Sequence, residues 1–213
     1  VVGRELSFAR TYAAQDITAT ALGYGWTHGY AMRLVFSDDP GGEDWTTVLD
    51  APDGAQLRFY EHYSGTAISY APYPGVHGEL VRLGSTPNYT YVVTGTAQTA
   101  WTFDQDGVLQ ELRDPQGHTT TLSYTPTVTC TNVLDRVTGP DADGDPDTGR
   151  YLAFTYDDDC RLVEVRGHGD RCVAFAYDLA GDLVVVTDTR GFTWTYTYSG
   201  SHLLYEVIDP NGH

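Results

Sequence analysis

Apolar and polar residues alternate with period two along much of the chain. Phe192, Trp194, Tyr196 and Tyr198 fall on one face of an extended segment, and Thr193, Thr195 and Thr197 fall on the other. The same alternation runs through Leu152, Phe154 and Tyr156 and through Val173, Phe175 and Tyr177. This pattern predicts strands with one buried and one wet face. Between them lies a different spacing, Leu-x-x-Val, at Leu162 and Val165 and again at Leu183 and Val186. Asp-x-x-Gly steps bracket these short segments. They predict tight turns, because Asp accepts hydrogen bonds from amides just downstream and Gly takes positive φ without penalty. Further strands are predicted around Leu57–Tyr63, Tyr89–Thr94 and Thr99–Phe103, with a turn at Asp50-Ala51-Pro52-Asp53-Gly54. Pro72, Pro74 and Pro87 interrupt pairing and predict loops or a sheet edge. No amphipathic helical period is present.

The pattern repeats. Tyr156, Tyr177 and Tyr198 are spaced by 21 residues, as are Phe103 and Tyr124. The clearest copy runs Tyr177, Asp178, Gly181, Leu183, Val186, Asp188, Gly191. The copy from Phe103 supplies Asp104, Gly107, Leu109, Leu112, Asp114 and Gly117. The copy from Tyr156 supplies Asp157, Leu162, Val165 and Gly169, with Cys160 where the others carry the first Gly, so one irregular turn is expected. The copy from Tyr198 supplies His202, Leu204, Val207, Asp209 and Gly212. Each unit is a β-hairpin of about 21 residues, too small to offset its own ordering entropy, so neighbours must share a core. The fold class expected is all-β, an antiparallel run of hairpin repeats forming a curved sheet.

These residues resemble the YD repeats of Rhs-type proteins, a family that includes bacterial Rhs and wall-associated polymorphic toxins, shell components of insecticidal toxin complexes, and animal teneurins. The resemblance rests on the Tyr-Asp opening, the Gly-x-Leu step and the Asp-Pro-Gln-Gly and Asp-Pro-Asn-Gly turns of residues 101–213. Residues 4–34 add to it with Leu6-Ser7-Phe8-Ala9-Arg10-Thr11-Tyr12, Leu22-Gly23-Tyr24-Gly25-Trp26-Thr27 and Tyr30, which are similar to the segment opening the Rhs repeat region. It implies a hollow β-shell that encloses a C-terminal effector or belongs to an adhesion protein. It also implies a repeat-motif role for Gly23, Gly25, Trp26 and the repeat positions named above. The expected organisation is an N-terminal segment of degenerate repeats over 1–100 and regular repeats over 101–213, broken by an acidic loop at 139–149.

Charge narrows the partners. Twelve basic residues, all Arg, stand against 29 acidic ones, for a net charge of −17. Such a surface repels nucleic acid and anionic membranes. No signal-peptide pattern opens the sequence, and no apolar run approaches the ~20 residues of a membrane helix. The sequence reads as a segment of a longer chain, secreted or at the cell surface, with bacteria the expected source. Three cysteines leave either one bridge and a thiol or three thiols; Cys160–Cys172 is the more local pair.

Chemistry-bearing candidates are few. Asp141, Asp143, Asp145 and Asp147 place four carboxylates at alternate positions, a density that suits calcium. Against this, Gly144, Pro146 and Leu152 depart from a helix-flanked calcium loop, and a solvated acidic turn is the competing reading. Cys160, His168 and Cys172 fit no standard zinc spacing. No nucleophile elbow, zinc-protease helix or phosphate loop occurs, so no catalytic residue is assigned. Apart from calcium at that loop, no cofactor is expected. The expected function is a structural scaffold whose partners are the rest of its own shell and an enclosed domain. An extracellular glycan- or receptor-binding β-module is the alternative, and a β-propeller is the architectural rival. Unpaired strand edges are expected to drive self-association.

Overall fold

The computed structural model describes residues 6–16, 18–37, 46–51, 54–65, 67–85, 88–140, 150–169 and 171–213. Among these every regular element is a strand. Four short strands open the chain: β1 (Arg10–Tyr12), β2 (Ala19–Thr20), β3 (Gly23–Tyr24) and β4 (Trp26–His28). Then come β5 (Arg33–Ser37), β6 (Thr46–Asp50), β7 (Gln56–Ser64) and β8 (Ala67–Pro72), an antiparallel four-stranded sheet in chain order. The remaining strands are β9 (Gly78–Ser85), β10 (Asn88–Gly95), β11 (Ala100–Phe103), β12 (Leu109–Arg113), β13 (Thr119–Thr125), β14 (Val133–Thr138) and β15 (Tyr151–Tyr156). They continue with β16 (Leu162–Gly167), β17 (Cys172–Tyr177), β18 (Leu183–Thr187), β19 (Thr193–Tyr198) and β20 (Leu204–Ile208), and β9 to β20 pair in strict chain order. The all-β, antiparallel hairpin class read from the sequence is the class observed.

Two compact units divide the described chain. The first is Gly29–Leu122. Its core contains Leu34, Phe59, Leu80, Val93, Phe103 and Leu109, each no more than 2% exposed. Gly107 shows why that turn needs glycine. It has φ of 75° and its carbonyl accepts the Leu34 amide at 2.9 Å, so an added Cβ would overlap the Leu34 carbonyl. The turn predicted at Asp50–Gly54 is present one residue later: the Ala51 amide donates to the Ala55 carbonyl at 2.9 Å, and Gly54 takes φ of 81°. Pro72 ends β8, an edge strand, as a proline in a sheet should.

The second unit combines Leu6–His28 with Ser123–His213. Here the 21-residue period becomes geometry: β15, β17 and β19 start at Tyr151, Cys172 and Thr193, and β16, β18 and β20 start at Leu162, Leu183 and Leu204. A β-bulge recurs immediately before each repeat tyrosine, between Thr155 and Tyr156, Ala176 and Tyr177, and Thr197 and Tyr198. The bulge explains the odd Leu-x-x-Val spacing. One extra residue in the partner strand lets positions three apart face the same way. Leu162 and Val165 are 0% and 3% exposed, and Leu183 and Val186 are 0% and 1% exposed. Phe192 departs from expectation. It lies in the turn before β19, is 49% exposed and sits under the Arg190 guanidinium, so the buried face starts at Trp194.

Each hairpin turn is closed by its first residue. The Asp178 amide donates to the Asp182 carbonyl at 3.0 Å, while Asp178 Oδ1 accepts the amides of Ala180 and Asp182 at 2.9 and 3.0 Å. Asp104, Asp114, Asp157, Asp188 and Asp209 do the same. The fourth residue of the turn takes positive φ, at Gly181 89° and at Gly191 85°. Cys160 occupies that position with φ of 63°, which is the irregular turn expected of this copy.

The disulfide corrects the local pairing Cys160–Cys172. Cys160 is bonded to Cys130, and Cys172 is a free thiol. Register gives the reason: Cys172 sits opposite Arg166, at the far end of β16 from the turn that holds Cys160. The bridge closes a loop of sequence separation 30, worth ~3–4 kcal/mol on chain-entropy grounds. It also holds a non-glycine residue in a left-handed conformation that costs ~1–2 kcal/mol. Without the bridge, Cys160→Gly should therefore be better tolerated than Cys160→Ala. In a Cys130→Ala background, urea unfolding should find the glycine variant more stable by about 1 kcal/mol.

The tyrosine that opens each repeat pins the hairpin before it. The hydroxyls of Tyr156, Tyr177 and Tyr198 donate to the carbonyls of Leu134, Leu162 and Leu183 at 3.0, 2.7 and 2.7 Å. Burial pushes all three phenols well above their usual range, so they remain neutral donors. Tyr177→Phe strands a partly buried carbonyl and should cost about 1–3 kcal/mol by denaturant unfolding. Tyr205→Phe, at an 82% exposed position, should cost nothing measurable.

Candidate functional site

Interacting side chains from distant parts of the second unit meet where Leu6–His28 packs on the repeat hairpins. Phe8 stands 5.9 Å from Phe154 and 5.8 Å from Phe175, both in edge-to-face contact. Phe154, Phe175 and Tyr196 occupy the same place in successive repeats. The segment uses the third of these as well: Arg10 donates to the Tyr196 hydroxyl at 2.7 Å, and its guanidinium lies 5.8 Å from the Trp26 ring centre. Trp26 Nε1 donates to the Tyr198 hydroxyl at 2.8 Å. Tyr12 accepts the Leu204 amide at 2.8 Å and donates to the His202 carbonyl at 3.3 Å.

Backbone joins the two parts as well. The Ala21 carbonyl accepts the Leu162 amide at 2.7 Å and the Tyr177 hydroxyl at 3.1 Å. Leu22 beside it is fully buried. Gly23 has φ of 88° and an added Cβ would lie 2.7 Å from the Gly181 carbonyl, so backbone meets backbone here. Gly25, with φ of 72°, lies against the Tyr12 ring in the same way.

Next to this junction is a cleft of about 350 Å³ lined by Asp178, Asp182, Tyr196, Tyr198, Ser199 and His202. Asp182 is 3% exposed, and His202 Nδ1 lies 3.0 Å from both of its carboxylate oxygens. The His202 ring stacks on Tyr24 at 3.8 Å. His202 holds φ of 60° at the turn position that is glycine in its neighbours, and Ser199 replaces the capping Asp. The cluster therefore does mechanical work. It fixes a turn lacking both usual turn residues by tying it to the preceding hairpin and to the N-terminal segment.

His28 is buried at the same junction, between Phe8 at 5.4 Å and Phe154 at 6.2 Å. Desolvation lowers its pKa to about 4. In the first unit, a second polar cluster has Tyr63 donating to the buried Glu61 at 2.7 Å. Burial and that hydrogen bond push the Tyr63 phenol up to about 12.

The repeat residues singled out from sequence are distributed rather than convergent. Tyr156, Tyr177 and Tyr198 close strands; Asp157, Asp178, Asp188 and Asp209 cap turns; Gly181, Gly191 and Gly212 take positive φ; and Leu162 and Leu183 are fully buried. Gly23, Gly25 and Trp26 meet the repeats at the junction. The carboxylates Asp141, Asp143, Asp145 and Asp147 lie outside the described residues. Among the described residues no group of three or more His, Cys, Asp or Glu is arranged to hold a metal. Cys160 is committed to its disulfide, which removes a thiolate from the Cys160, His168 and Cys172 set. Arg10, Tyr12 and Tyr24 carry no sequence signal as partners of the repeats, because nothing in a linear pattern registers residues about 180–190 positions apart.

Two family models match the chain. Residues 3–59 match a domain of unknown function, DUF6531, and residues 177–213 match the RHS Repeat. The chain carries an RHS repeat, which bears out the resemblance to Rhs/YD-repeat proteins read from the sequence. No curated protein matches it. The RHS repeat is a structural element, typical of secreted or cell-surface proteins. The junction described above is thus where Leu6–His28, within the first match, packs against repeat hairpins that include those of the second.

The buried imidazole makes the junction sensitive to acid. Its folded pKa is depressed, so the unfolded chain binds more protons between pH 6.5 and about 4, and stability falls as pH falls through that window. The full shift corresponds to about 3 kcal/mol. Urea midpoints should decline from pH 7 to 4 in the parent protein, and the decline should be shallower in His28→Gln.

Proposed function

We propose that this chain is a section of wall in a YD-repeat shell that encloses or presents another polypeptide, a C-terminal effector or an adhesive partner. The observation that carries this reading is the repeat-to-repeat pin: each tyrosine hydroxyl is bonded to a leucine carbonyl of the hairpin before it. A chain built this way extends by adding hairpins, and each hairpin is stabilised by its neighbours. Phe154, Phe175 and Tyr196, each no more than 6% exposed, pack inward, which favours a core role for these three rings over stacking on glycan. The acidic surface suits a wall that stays soluble and does not adhere to nucleic acid.

Protease protection tests enclosure. In the complete gene product, a polypeptide held inside an intact wall should resist trypsin for as long as the repeats remain folded. It should become cleavable when Tyr177→Phe and Tyr198→Phe together loosen the pins. Equal cleavage of the polypeptide in both proteins would remove the enclosure reading.

A further inference from the structure

Asp104, Asp114, Asp157, Asp178, Asp188 and Asp209 cap equivalent turns with Oδ1, so their second carboxylate oxygens act as controls for one another. Asp104 Oδ2 accepts Gln110 Nε2 at 2.9 Å, Asp157 Oδ2 accepts Arg161 Nε at 2.9 Å, and Asp209 Oδ2 accepts Asn211 Nδ2 at 3.3 Å. Asp114 Oδ2 meets His118 Nδ1 at 2.8 Å, and Asp188 Oδ2 accepts Arg190 Nε at 3.3 Å. Asp178 is the exception: among the described residues no donor reaches its Oδ2. Asp178 is also a residue that lines the cleft of about 350 Å³ beside the junction.

The hairpin one repeat earlier shows what such a place holds. Arg161 lies 2.8 Å from the Asp157 carboxylate and 2.9 Å from that of Asp159, and its guanidinium stands 5.1 Å from the Tyr177 ring centre. One repeat on, Asp178 and Tyr198 take the places of Asp157 and Tyr177, and both line the cleft. The arginine has no counterpart there: Asp182 stands at its position. The Asp182 side chain is 5% exposed and also lines the cleft. His202 Nδ1, 3.0 Å from both of its oxygens, is the one group that meets them among the described residues. A carboxylate has room for about four hydrogen bonds, so most of the accepting capacity of this buried group is unused.

We infer that this cleft is a binding site for a guanidinium group supplied from outside the chain. Asp178 and Asp182 provide the two carboxylates, and Tyr198 provides the ring that Tyr177 provides for Arg161. A guanidinium suits this set better than an ammonium, because its planar fork serves two carboxylates at once and stacks on an aromatic ring. Every residue lining the cleft lies between Asp178 and His202, within strands β18 and β19 and the turns that flank them. The site rests on this comparison of hairpins and stands apart from enclosure.

Calorimetry on the 213-residue protein compares ethylguanidinium and a blocked Gly-Arg-Gly peptide with ethylammonium and a blocked Gly-Lys-Gly peptide. The expected result is saturable binding of both guanidinium probes, with each ammonium control about tenfold weaker or more. Ethylguanidinium binding as tightly as the peptide would support a site for the head group alone, and tighter binding of the peptide would support an arginine residue as the occupant. Amide NMR shifts on binding should be confined to residues 178–184 and 196–202. Asp178→Asn keeps the oxygen that caps the turn and removes the charge, so it should weaken binding about five- to tenfold, the loss of one charge-assisted hydrogen bond. Asp209→Asn makes the same change at a turn outside the cleft and should leave binding unchanged. Overturning results are no saturable binding, ammonium controls that bind equally well, or shifts centred on other residues. An Asp178→Asn protein that binds like its parent, or an Asp209→Asn protein that loses as much, would overturn it too. The probe comparison and the shifts use the unaltered protein, so the outcome does not depend on either variant folding.

Discussion

The hydrogen bond from a repeat tyrosine to the leucine carbonyl of the preceding hairpin is the constraint on which the repeat region depends. A bulge would ordinarily leave backbone groups without partners at the place where a strand twists most. Here the bulge sits immediately before the tyrosine, and the hydroxyl of that tyrosine reaches back across the sheet to Leu162 or Leu183. Burial raises the phenol's pKa above its usual range, so the hydroxyl stays a donor even in alkaline solution. One residue thereby closes a strand, satisfies a carbonyl and couples two hairpins. The aspartate that follows it caps the turn with a single carboxylate oxygen that accepts two amides. Tyr-Asp is a minimal device for reversing a chain while keeping it attached to what came before.

The N-terminal segment is fitted to that device. Phe8 and Arg10 meet Phe154, Phe175 and Tyr196, the same rung of three consecutive hairpins. Trp26 and the Ala21 carbonyl meet the hydroxyls of Tyr198 and Tyr177, again equivalent positions. A segment with no repeat of its own therefore reads a periodic surface at period 21. The strictness of Gly23, pressed against the Gly181 carbonyl, follows from this fit: a methyl group there would lift the segment off the hairpin turn.

Local rules make the hairpins legible in the sequence. Alternation at Trp194, Tyr196 and Tyr198 marks a half-buried strand, and Asp-x-x-Gly marks its turns. The Leu-x-x-Val step is visible but its cause is not, since a bulge shows in sequence only as a broken period. The cysteine pairing misleads for a related reason. Closeness along the chain favours Cys160–Cys172, whereas in a hairpin the two ends of one strand are far apart, and Cys130 comes from another loop. Of the junction, Gly23, Gly25 and Trp26 are legible as a motif, but not what they touch. Asp182 and His202 look like ordinary turn residues in the sequence, and only the fold places them 3.0 Å apart.

The polar groups of the turns and of the junction are engaged by their neighbours, and the same contacts hold the hairpins together. The Asp182 carboxylate faces His202, and the imidazole is stacked on Tyr24. The turn carboxylates of Asp114, Asp157 and Asp188 feel some desolvation, which raises their pKa, but amide and side-chain donors outweigh it and hold them below the usual range. A general base needs a pKa near the working pH and an open path to substrate. Asp114, Asp157 and Asp188 are instead biased toward their ionised form by the turns they close. A chain that ties its acids, phenols and aromatic faces into neighbour-to-neighbour contacts has arranged them for extension and cohesion, which is what the proposed wall would require.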